Sequence, residues 1–156
     1  MRFRIFTEPQ EGATYDDQLG LFVRTEAVRI LAETAPARAL EFLGPLARED
    51  RPSSTRPPQA ALIEGWIAAA RSIDHPDLGV LADVATNLFQ PPDARYAAID
   101  GLGELGGSAA GAALEEVLTE ASSDGYVRRK AAQALVKCVP AAELCRVLDT
   151  IASHES

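Results

Sequence analysis

The chain has 156 residues, enough for one domain that buries about 70% of the surface its unfolded form exposes. It is 47% apolar, only 6% aromatic and carries a net charge of −8. That balance disfavours nucleic acid and anionic lipid as partners, because both repel a globally acidic surface. The acid excess is uneven. Residues 1–59 hold nine acids and eight bases, and residues 60–156 hold fourteen acids and seven bases.

In chain order, the first segment is "MRFRIFTEPQ". It lacks the apolar core of a secretory signal. Its "RFRIF" alternates in the manner of a short strand, and no second strand follows, so residues 1–13 are expected as an extended N-terminal arm. Thr14 is the expected N-cap of the first helix, with Asp16 and Asp17 favourable to the helix dipole. Four stretches then align: "RTEAVRIL" (24–31), "QAALIEGW" (59–66), "RYAAIDGL" (95–102) and "RRKAAQAL" (128–135). Each closes on a large apolar residue, Leu31, Trp66, Leu102 and Leu135, at spacings of 35, 36 and 33. Three open on arginine, Arg24, Arg95 and Arg128, and the second opens on Gln59. "IEG" (63–65) also matches "IDG" (99–101).

Each stretch runs into a breaker, "TAP" (34–36), "DHPD" (74–77), "LGGS" (105–108) or "VP" (139–140). Glycine and proline end helices, the first through backbone entropy and the second through its missing N–H. A second helical spacing follows every breaker: Leu40, Leu43 and Leu46; Leu78, Leu81, Ala85 and Leu88; Leu114, Val117, Leu118 and Ala121; Leu144, Leu148 and Ile151. Asp93, after two prolines, is the expected N-cap of the third unit. The reading is all-α: four helical hairpins, at about 16–50, 57–90, 93–121 and 125–153, stacked as an α-solenoid over 14–156.

The run "RRKAAQAL", and more loosely "RYAAIDGL" and "RTEAVRIL", resembles the short bacterial HEAT-like repeats of PBS-lyase type. The resemblance covers roughly 20–153. It is weakest in the second unit, where Gln59 and Trp66 depart from the pattern. Tetratricopeptide repeats share the length but not the Trp/Gly/Tyr signature, and armadillo repeats stay open. The HEAT resemblance implies that Arg24, Arg95 and Arg128 bridge neighbouring repeats by hydrogen bonds. A guanidinium suits that role through its fixed fork of five donors. Arg129 and Lys130 have no counterpart in the third unit, where Tyr96 and Ala97 stand, and are read as a solvated patch at a helix start. Separately, "FRIFTEPQEGATYDDQL" (3–19) resembles the opening of luciferase-like, deazaflavin-dependent oxidoreductases. That family needs a barrel of about 250 residues, so no cofactor site carries over.

The chemistry-bearing residues are sparse. His75 sits in a turn between Asp74 and Asp77, and is read as a loop histidine rather than a metal or acid–base site. "GLGELGG" (101–107) resembles a phosphate loop but falls at a helix end, not after a strand. Glu115 and Glu116 are adjacent, so they point about 100° apart on a helix and make no catalytic dyad. Trp66 is read as packing. Cys138 and Cys145 belong to no CxxC and are read as buried thiols in a reducing, cytoplasmic setting. No catalytic, cofactor or metal site is assigned.

Second helices of such solenoids line the concave face. Here their non-core positions include Glu41, Asp83, Glu115, Glu116, Glu143 and Asp149. An acidic concave face is therefore expected, receiving a basic protein or peptide as a non-catalytic scaffold or adaptor. The resemblance also admits a lyase or chaperone for a chromophore-bearing or flavin/deazaflavin-dependent client, and a DNA-binding role that the charge disfavours. Weakly capped end repeats open a route to a homodimer.

Overall fold

The computed structural model describes residues 15–49, 56–120 and 124–154. The expected arm at 1–13, the Thr14 cap and most of the 3–19 resemblance lie outside those residues. Eight helices follow one another: α1 (Tyr15–Thr34), α2 (Pro36–Arg48), α3 (Gln59–Ala70), α4 (Gly79–Thr86), α5 (Pro92–Leu105), α6 (Gly107–Thr119), α7 (Gly125–Cys138) and α8 (Ala141–His154). Among the described residues there is no strand.

Local chemistry sets the helix ends. α2 and α5 begin on Pro36 and Pro92, where a missing N–H costs nothing. Gly106 and Gly107, at φ of +65° and +82°, turn the chain between α5 and α6 in a region that side chains avoid. The Asp124 carboxylate caps α7, accepting from the Val127 N–H at 2.7 Å. Asp93 does not cap α5 in that way. The helix starts one residue earlier on Pro92, which places Asp93 inside the first turn, and its Oδ1 accepts from the Ala94 N–H at 2.9 Å.

The helices stack in two layers. α1, α3, α5 and α7 pack in sequence as first helices, and α2, α4, α6 and α8 as second helices. Each second helix also packs on the first helix of the next hairpin: α2 on α3, α4 on α5, α6 on α7. One apolar core runs through the stack from Val28 to Val147. Counting each aligned stretch from its first residue, the eighth seat holds Leu31, Trp66, Leu102 and Leu135. The last three are buried, and Leu31, in the hairpin with no predecessor among the described residues, is half-buried.

The seventh seat explains "IEG" and "IDG". A Cβ on Gly65 would lie 2.2 Å from Val28 Cγ1, and one on Gly101 would lie 2.3 Å from Ile67 Cδ1. Glycine is required there because a branched side chain of the preceding first helix, α1 or α3, fills the space. In the last unit the seat holds Ala134, facing Gly103, where a Cβ would come within 3.1 Å of the alanine.

Three expected core positions differ. Leu88 lies beyond the end of α4 and is exposed, because Asn87 leaves the helix in an extended conformation. Leu148 is also exposed and Val147 is buried in its place; among the described residues α8 packs on α6 and α7. Cys145 is exposed on α8 rather than buried, while Cys138 is half-buried with its Sγ 3.6 Å from Leu102 O. Burial pushes the Cys138 thiol pKa up.

Candidate functional site

The first seat lies against the preceding second helix. Arg95 is 5% exposed, and its Nε donates to Ala85 O at the end of α4. One of its terminal nitrogens is 3.7 Å from the Asp124 carboxylate that caps α7. Arg95 thus touches both the hairpin before its own and the one after. Gln59 holds the same seat one unit earlier. Its amide nitrogen is 3.1 Å from Ala47 O and 2.7 Å from Glu49 O at the end of α2. Gln90 supports it, accepting from Gln59 at 2.9 Å and donating to Ala47 O at 2.9 Å. Two amides together reach the carbonyls of Ala47 and Glu49 at the end of α2. Arg24 has no preceding hairpin among the described residues, and its buried Nε finds no hydrogen-bond acceptor there. Arg128 is half-buried in the first turn of α7.

The six acids of the second helices divide into two groups. Asp83 takes Arg48 of α2 at 2.7 Å. Arg146 lies 3.9 Å from Glu115 and 2.5 Å from Glu143. This guanidinium holds the Glu143 carboxyl below its usual range. Glu41, Glu116 and Asp149 are exposed and have no ion-pair partner among the described residues. Across the whole layer, six carboxylates stand with three arginines, Arg38, Arg48 and Arg146.

Lys130 departs from its reading as a solvated side chain. Its Nζ is 3.0 and 2.9 Å from the two Asp100 oxygens on α5 and 5.7 Å from the centre of the Tyr96 ring. Tyr96 in turn packs on Tyr126, with ring centres 4.8 Å apart. Of the three neighbouring cations, Lys130 therefore ties the fourth unit to the third, and Arg129 is exposed. Arg71 and Glu104 make another inter-unit pair, between the ends of α3 and α5. These pairs were missed in the sequence, yet a signal existed. Arg48–Asp83, Arg71–Glu104 and Lys130–Asp100 join opposite charges 35, 33 and 30 residues apart, close to one repeat length.

His75 is exposed, in a turn where its φ is +53°. Among the described residues no group of three or more His, Cys, Asp or Glu side chains is placed to hold a metal ion. No described helix is long and apolar enough to cross a membrane.

Comparison with known proteins agrees with the packing. Residues 94–120, which span α5 and α6, match the family model of the PBS lyase HEAT-like repeat. No curated protein and no solved structure matches the chain.

Proposed function

We propose that this all-α solenoid of HEAT-like hairpins is a non-catalytic scaffold that receives a basic protein surface. The observation that carries the reading is the layer of second helices. It bears an excess of carboxylates, and Glu41, Glu116 and Asp149 have no cation of this chain within ion-pair distance among the described residues. Complementary fields of this kind raise association rate and select partners more than they add affinity. The acidic residues that matter are those three, because Asp83, Glu115 and Glu143 are already engaged by arginines.

The test is affinity capture from the native host with the unmodified chain and with Glu41→Lys, Glu116→Lys, Asp149→Lys combined. Basic proteins enriched on the first and lost on the second support the reading. Identical captures from both defeat it.

A second reading is favoured by the repeat model matched at 94–120, which is named for PBS lyases. On that reading the chain acts as lyase or chaperone for a chromophore-bearing or flavin/deazaflavin-dependent client. Visible absorbance copurifying with the chain would favour it, and a colourless preparation from a host making such clients would count against it.

A further inference from the structure

A groove of about 470 Å3 lies between α3 and α5, in the layer of first helices and apart from the second-helix carboxylates. Ile67 and Gly101 contribute to its lining, and Ala97, one turn before Gly101, contributes only a methyl group. Glu64 lines it from α3, and Asp93, Asp100 and Glu104 line it from α5.

Repeat equivalence gives this groove its meaning. Lys130 holds the third seat of the fourth unit, and its ammonium reaches Asp100, the sixth seat of the third unit. One unit earlier the same two seats are Ala97 and Glu64. The carboxylate is kept and the lysine is replaced by alanine. Glu64 consequently has no ion-pair partner among the described residues, and the space that a long side chain would fill at position 97 is open groove.

The neighbouring seat shows which chemistry suits the position. Lys130 is bound there by a carboxylate and by the face of an aromatic ring, Tyr96, which also lines the groove. The other cation in the groove, Arg71, is already held by Glu104. Four lining carboxylates against Arg71 and the adjoining Lys130 leave the groove two negative charges in excess.

We propose that the α3–α5 groove is a docking site for a cationic segment of a protein partner. An arginine or lysine of that partner takes, on Glu64, the place that Lys130 takes on Asp100, with its aliphatic stem along Ala97 and Ile67. The inference rests on the scaffold reading above and adds to the second-helix surface a separate contact on the first helices. Long cationic side chains suit such a place because their stems cover apolar surface while the charge meets the carboxylate.

The test uses the full chain and a fluorescein-labelled peptide of alternating arginine and alanine, with binding read by anisotropy at fixed salt. Ala97→Lys supplies the missing cation from within, and Glu64→Gln removes the carboxylate. Each is expected to weaken binding about fivefold, the size of a single ion pair. Ala97→Lys is also expected to leave the thermal midpoint unchanged or raised, which separates blocked binding from misfolding. Peptide binding that survives both changes but is lost in the Glu41/Glu116/Asp149 triple-lysine variant overturns the groove and leaves the second-helix surface standing. Binding that survives all three variants overturns both.

Discussion

Arg24 and Arg95 hold the same seat in their units, and each keeps one buried nitrogen without a hydrogen-bond partner among the described residues, yet their neighbours differ. Arg95 is enclosed between α4 and the start of α7, with one donor on a carbonyl and another near a carboxylate. Arg24 stands in the first described hairpin, where no preceding helix end is described, and its Nε has no acceptor among the described residues. Apolar side chains on either side follow suit. Trp66 in the second unit is 2% exposed, whereas Val23 and Ile30 on α1 are 56% and 50% exposed. At this seat the acceptors of Arg95 and Gln59 come from the hairpin before. In a stacked array, position in the stack matters as much as the residue type.

Substitutions at the two regions should separate them sharply. Trp66→Ala is expected to lower stability by about 3–5 kcal/mol, the usual cost of truncating a buried aromatic, while Val23→Ala changes it by at most about 0.5 kcal/mol. Urea midpoints of both variants check this; equal losses would erase the contrast. Arg95→Met leaves the Ala85 carbonyl without its side-chain donor and should cost about 1–3 kcal/mol, against at most about 0.5 kcal/mol for Arg24→Met.

Gly101→Ala comes next. Overpacking against Ile67 costs roughly 1–3 kcal/mol and the gain in helix propensity returns about 1 kcal/mol, leaving a modest net loss. In an Ile67→Ala background the same change should be neutral or stabilising, which a double-mutant cycle would measure.

The smallest effect is electrostatic. Arg146 and Arg29 hold Glu143 and Glu26 below the ordinary carboxylate range. Their contribution is therefore fully present above the unfolded value of about 4.3 and is lost as pH falls through the lowered folded values. Acid unfolding curves of Glu143→Gln and Glu26→Gln should show a slightly shallower pH dependence than the unmodified chain.

The repeat register was legible because it depends on residue types that cannot be exchanged freely. Gly65 and Gly101 mark close helix contacts, and Trp66, Leu102 and Leu135 fill the space between layers. The breakers were legible for the same reason, since proline and glycine act through the backbone itself. Helix boundaries and end effects were harder to read. Pro92 starts α5 one residue before Asp93, so the capping signal misled. Leu148 satisfies the helical spacing of α8 but is exposed, while Val147 beside it is buried. The surface was least legible. Asp83, Glu115 and Glu143 read as free acids because the arginines that engage them become neighbours only after stacking, save for Arg146 beside Glu143. Lys130 read as solvated because its partners, Asp100 and Tyr96, lie about thirty residues earlier.

Among the described residues the main packing between helices joins adjoining hairpins: α3 meets α1 and α5, and α6 meets α4 and α8. Among the described helices this packing needs no closure between the first hairpin and the last. A duplicated or deleted block of about thirty-five residues would change its length and the number of docking positions along it, while every retained junction kept its geometry. Growth by whole units is thus open to this architecture in a way that it is closed to a barrel, whose last strand must meet its first.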